Sequence, residues 1–216
     1  DLATEMGMPY TASCDWVDLY YDGEYRGTYL LSEKNAVNST SVNIKDMEGA
    51  YKELNSGYGK DMETATGSNA FGQEFLYTIG LTEPENLTGG YLIERNLNNI
   101  DEASGFYTKQ GGGFNVKSPE FAGLEAMKYI SEYYQEFEDA VFAQDGEGNY
   151  TGYNAETGKY YYEYCDIDSL VKTFLIQELS LNGDGFLKSF YFYKDQDSIM
   201  YAGPVADFLA ALIAAT

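Results

Sequence analysis

Turn residues constrain this chain more than any other feature. Asp22-Gly23 separates two β-rich runs, Trp16–Tyr21 and Glu24–Leu31. Asp-Gly suits the centre of a tight hairpin because both residues tolerate positive φ. Gly111-Gly112-Gly113 likewise separates Phe106–Lys109 from Phe114–Lys117, and Gly89-Gly90 leads into a strand over Tyr91–Arg95. Ser189–Lys194 reads as a further strand, with Ile199–Pro204 as its partner. Connections this short leave no room for a helical crossover, so strands joined this way run antiparallel.

Elsewhere the apolar period changes from two to 3.6. After Pro119, Leu124, Met127, Ile130, Tyr134, Phe137 and Val141 recur at steps of three and four, one face of an α-helix. A second helix is expected from an N-cap at Asp168 through Leu170, Phe174 and Leu179, ending at Asn182-Gly183. Residues 1–8 read as the tail of a helix stopped near Gly7 and Pro9. Residues 35–70 read as a polar excursion with one short helix near 46–54, and residues 144–159 as a loop or small hairpin. The expected class is α+β, antiparallel hairpins plus several long helices. The length, 216 residues, fits one large domain or two small ones, and no repeat or long linker divides it. Both ends read as cuts through a larger domain: the chain opens in mid-helix and closes on Phe208–Thr216, without a polar terminus.

Charge and composition narrow the chemistry. The chain carries 13 Lys plus Arg against 35 Asp plus Glu, no His, and a net charge of −22. Without an imidazole there is no Ser-His-Asp or Cys-His hydrolysis, no His-ligated zinc and no histidine switch within this chain. The negative charge opposes nucleic acid, which needs a basic stripe, and anionic membrane surfaces. No run approaches the ~18 apolar residues of a membrane span. Cys14 and Cys165 stand far apart, as one disulfide or as two buried thiols. What remains is chemistry on carboxylates, Lys, amides, hydroxyls or oxygen-held metals.

Two acids fit that chemistry. Asn182-Gly-Asp184-Gly follows the second helix, either as an ordinary helix-end turn or as a site with Asn and Asp side by side. Gly203-Pro-Val-Ala-Asp207-Phe follows a strand, and Asp207 is an N-cap or a metal ligand. A β-hairpin lies between the two acids and returns the chain to its start, which lets both carboxylates approach one point. Paired carboxylates at strand ends suit Mg²⁺, a hard cation that prefers oxygen. That is also the layout of phosphoryl transfer. Lys109 and Lys117 flank the triple glycine, but the Gly-Lys-Ser/Thr ending of a phosphate loop is absent, so a hairpin turn is expected there. Asp145-Gly-Glu147-Gly-Asn149 lacks the distal Glu of a calcium loop and reads as a solvated turn.

The order of these motifs resembles the spore coat protein H (CotH) kinase family. The resemblance rests on Val17–Glu33, Gly89–Glu94, Val116–Glu120, Asp166–Leu170, Glu178–Asp184, Ser189–Asp195 and Ala202–Phe208, which together span nearly the whole chain. It implies an atypical, reduced protein-kinase-like fold, with residues 1–216 forming most of one such domain and its N-terminal segment missing. It implies transfer of the γ-phosphate of ATP, with Mg²⁺, to Ser or Thr of coat or extracellular proteins. The location implied is extracellular or on a cell or spore surface, in a spore coat or a cellulosomal assembly. Asp184 matches the catalytic Asp and Asp207 the metal-binding Asp, with Asn182 assisting the metal. Glu33, Lys109 and Lys117 match recurrent polar positions, read as nucleotide-binding.

Two positions depart from the family pattern. Ala206 stands where Trp is expected, and Leu209 where a second Asp is expected. These departures support an alternative reading, a catalytically inactive extracellular module on the same fold that binds a protein or carbohydrate partner.

Overall fold

A computed structural model describes residues 2–59, 61–97 and 100–205, and of Asp184 the backbone alone. Helix α1 (Leu2–Glu5) ends before Gly7, as the sequence predicts. Strands β1 (Cys14–Tyr21) and β2 (Glu24–Ser32) form the Asp22-Gly23 hairpin, with φ of +52° at Asp22 and +79° at Gly23. Positive φ at both central residues matches the turn to the right-handed twist of its strands. This hairpin is a two-stranded sheet by itself, with all of β1 exposed. Helix α2 (Met47–Leu54) is the short helix expected near 46–54, and the Asp46 carboxylate accepts from the Gly49 amide at 2.8 Å.

The polar reading of residues 35–70 needs correction at its end. Strand β3 (Thr64–Ser68) pairs with β4 (Glu74–Thr78), and neither follows from the sequence pattern. Thr64-Ala-Thr-Gly-Ser68 carries no large apolar side chain; as an edge strand it is held by its ladder rather than by burial. The next strands are the expected ones: β5 (Tyr91–Asn96), β6 (Gly105–Tyr107) and β7 (Gly113–Ser118).

Helix α3 (Leu124–Phe142) follows, then a small hairpin of β8 (Tyr153–Asn154) and β9 (Lys159–Tyr160), and helix α4 (Ile167–Leu179). Strands β10 (Lys188–Lys194) and β11 (Met200–Ala202) complete the described chain. Seven strands merge into one antiparallel sheet, ordered β11-β10-β5-β7-β6-β4-β3. The class is α+β, as expected.

The core lies between this sheet and α3. Alternation along β5 and β7 turns Ile93, Phe114 and Val116 toward α3, and Glu94, Asn115 and Lys117 to the other face. Met127, Ile130, Tyr134 and Phe137 of α3 meet the inward set, with the Phe114 and Tyr134 rings 4.3 Å apart. The predicted α3 face therefore holds, except that Val141 sits half-exposed at its end.

The N-cap of α4 is Asp166, not Asp168. The Asp166 carboxylate accepts from the Ser169 amide at 2.7 Å, while Asp168 lies in the first turn and pairs with Lys172 at 2.7 Å. The cap is chosen by a tertiary bond: the Asp166 amide donates to the Met200 carbonyl at 2.8 Å, holding Asp166 extended where the helix begins.

One further expectation holds. Asp145 accepts from the amides of Glu147 and Asn149, so this segment is a turn. Cys14 is exposed and Cys165 buried, and both are free thiols. Among the described residues no helix is long and apolar enough to cross a membrane.

Candidate functional site

The end of α4 runs directly into the Asn182–Gly185 turn. Leu181 takes φ +54°, and Gly183–Phe186 forms one short 3₁₀ turn. Gln177 fastens this turn to the helix. The Asn182 amide donates to the Gln177 carbonyl at 3.0 Å, and Asn182 Nδ2 donates to Gln177 Oε1 at 2.8 Å. The Gln177 side-chain amide also fills the place of a Cβ at Gly185, so a side chain there displaces the tie. The backbone of Asp184 is thus set by the buried Gln177–Asn182 amide pair that precedes it.

Strand β10 begins with an irregularity that sequence reasoning missed. Its register against β5 shifts between Lys188 and Phe190, where Ser189 takes φ +58°. A non-glycine residue there is uncommon and marks a functional candidate. The strand pattern of Ser189–Lys194 hides this position, and only backbone geometry exposes it. The β10–β11 hairpin expected between the two acids is present. Asp207 lies outside the described residues.

The two lysines beside the triple glycine do not converge. Gly111–Gly113 is the hairpin turn expected: the Gly111 amide donates to the Thr108 carbonyl, and the Thr108 amide to the Gly112 carbonyl. Lys109 Nζ pairs with Asp139 of α3 at 2.6 Å and lies 4.7 Å from the Phe71 ring centre. Lys117 points to the sheet face away from α3, where it pairs with Glu102 and with Glu94 at 3.4 Å. Burial disfavours the Lys117 charge, but Glu102 and Glu94 more than offset it, and its pKa lies above the ordinary lysine value. Tyr191 donates to the other oxygen of Glu94 at 3.0 Å.

Glu94 is the second residue that sequence reasoning left without a role. Its position on the strand beside β7, facing the same side as Lys117, is the signal that identifies it. Glu33 lies at the base of the first hairpin, where the Ser13 amide and hydroxyl donate to it at 3.0 and 2.8 Å and depress its pKa. No hydrogen bond or ion pair joins any two of Glu33, Lys109 and Lys117. Among the described residues no cluster of three or more His, Cys, Asp or Glu stands ready for a metal ion.

A family model described as CotH kinase protein matches residues 1–208. The chain belongs to the CotH kinase family. No curated protein and no solved structure matches it. The CotH match takes in Glu33, Lys109, Lys117, Asn182, Asp184 and Asp207, and stops before Leu209. In this CotH chain the polar sheet face with Glu94, Lys117 and Tyr191 and the turn carrying Asp184 are joined through β10, which contributes Tyr191 and starts directly beyond that turn.

Proposed function

We propose that this CotH chain forms most of one atypical, kinase-like domain that transfers the γ-phosphate of ATP to Ser or Thr of coat or extracellular proteins. The observation that carries the proposal is the family match over residues 1–208. The Asn182–Phe186 turn, ordered by Gln177 and followed by the β10–β11 hairpin, supports it.

In this reading Asp184 accepts the proton of the acceptor hydroxyl. Asp207 and the amide oxygen of Asn182 hold Mg²⁺; carboxylate and amide oxygens are the donor set that this hard cation takes. Magnesium, when bound, screens the phosphate charge and orients the phosphate oxygens. Lys117, kept protonated by Glu102 and Glu94, offers its cation to the nucleotide, as the Lys–Glu pair of protein kinases does. Lys109, paired with Asp139 on the α3 side of the sheet, and Glu33, at the base of the first hairpin, are given no contact to that nucleotide. A spore coat or other surface location belongs to the same reading, and the family membership supports it.

A second reading is favoured by the first hairpin. Trp16, Tyr20, Tyr21, Tyr25 and Tyr29 are all exposed on it, more aromatic surface than a two-stranded sheet leaves open without a partner. In that reading the chain is an inactive binding module.

One experiment separates the two. The protein is incubated with γ-labelled ATP and Mg²⁺, with mixed Ser/Thr peptides as acceptors, beside Asp184→Asn. The kinase reading expects label on Ser or Thr, abolished in the variant. Absence of both labelling and nucleotide binding overturns it in favour of the module.

A further inference from the structure

A cavity of about 490 Å³ opens on the α3 side of the sheet, between the end of α3, α4, the Gly183–Phe186 turn and β10. Its volume is in the range of small-molecule sites. Seven phenylalanines of the described chain line it, among them Phe114, Phe137, Phe142, Phe174, Phe186 and Phe190. Into this apolar wall projects one cation, Arg95 of β5. Its strand neighbours are Phe114 on β7 and Phe190 on β10, so the guanidinium stem lies between two rings.

Arg95 is unpartnered in a chain rich in acids. Its Nε is buried and donates to nothing, and no carboxylate forms a salt bridge with it among the described residues. A guanidinium stays charged and presents its donors as a planar fork suited to a carboxylate. A buried donor without an acceptor costs stability, so its retention calls for an explanation.

Glu138 lines the same cavity and forms no salt bridge with Arg95. Its Oε2 accepts from the Gln110 amide at 3.3 Å and from Gln135 Nε2 at 3.0 Å. Tyr134 completes the polar end, and both Arg95 and Glu138 act electrostatically on its hydroxyl. The mouth is open: Val171 and Phe174 of α4 are each about half exposed. The cavity thus offers an apolar body, a polar end with one unsatisfied cation, and a way in.

We propose that this cavity binds an anionic amphiphile, a carboxylate whose head pairs with Arg95 and whose acyl chain lies among the phenylalanines. The site is separate from the polar sheet face of Glu94 and Lys117, and the proposal stands whether or not the chain is a kinase. Ligand and cavity are complementary in both parts: the carboxylate accepts from Arg95 Nε, a buried donor without an acceptor among the described residues, and the chain covers apolar wall now open to water.

The test is titration calorimetry of the full chain with dodecanoate below its micelle concentration, beside 1-dodecanol of equal chain length. Saturable binding at one site is expected, with the alcohol weaker by about tenfold or more, because a charge-assisted pair is lost. Arg95→Met is expected to lose that preference for the acid, and Val171→Trp, which fills the mouth, to lose both ligands. Absence of saturable dodecanoate binding overturns the proposal. So does equal affinity for acid and alcohol in the unmodified protein, a comparison that needs no variant to fold.

Discussion

Lys194 gives the sharpest stability prediction. It is 2 % exposed, at the end of β10. Its ammonium donates to the Thr88 carbonyl and lies 4.7 and 5.4 Å from the ring centres of Tyr133 and Tyr129. No carboxylate pairs with it directly among the described residues. Burial lowers its pKa from 10.5 to about 8, and the charges of Asp197 and Asp195 restore only part of the loss. The unfolded chain therefore holds this proton more tightly than the folded one. Between about pH 8 and 10.5 the unfolded state carries a proton the native state lacks, so stability rises with pH there and is lowest below the window.

Each pKa unit is worth about 1.4 kcal/mol, and water at the edge of the site screens part of it. The gain expected from Lys194, read as the difference between the wild type and Lys194→Met, is about 1–2 kcal/mol from pH 7.5 to pH 9.5. Above that, stability falls again. Tyr129 is pushed up to about 12 chiefly by burial, and Tyr51, Tyr91 and Tyr134 higher still, whereas the unfolded phenols ionise near 10. The assay is urea unfolding followed by circular dichroism, at about pH 7.5, 8.5 and 9.5, on the wild type and on Lys194→Met. Methionine keeps the stem and removes the charge, so the rise should vanish in the variant. An equal pH dependence in both proteins would refute the reasoning.

Other outcomes follow from the same structure. Asp166→Ala should cost about 1 kcal/mol through loss of the α4 cap. Asp168→Ala, which removes only an exposed ion pair with Lys172, should stay within about 0.5 kcal/mol. The reverse order in thermal or urea melts would return the cap to Asp168. A thiol reagent should modify Cys14 in the folded protein and Cys165 only after unfolding. Cys165 is buried, and burial first, with Asp166 adding, pushes its thiol up to about 12. Rapid labelling of both thiols under native conditions would contradict that placement.

By itself the sequence determined the local elements whose own residues carry the signal. Asp22-Gly23 specified a hairpin because both residues accept positive φ, and the steps from Leu124 to Phe137 specified the buried face of α3 because a helix repeats every 3.6 residues. The motif order also sufficed to identify the CotH family. Tertiary structure decided what depends on partners distant in sequence. Strand β3 has no apolar alternation of its own and exists through its ladder with β4. The α4 cap moved to Asp166 because Met200, more than thirty residues on, holds it extended.

The candidate site divides in the same way. Asn182 and the turn carrying Asp184 were legible as residue types after a helix, but their fastening through Gln177 was not. Lys109 and Lys117 are near neighbours in sequence, yet they lie on opposite faces of the sheet, paired with Asp139 and with Glu94 and Glu102. Glu94, Ser189 and Arg95 acquire meaning only when β5, β7 and β10 are side by side. The physical reason is that periodicity and turn chemistry are local. The meeting of charges across a sheet, and the isolation of one guanidinium in an apolar cavity, depend on strand order, which no single segment encodes.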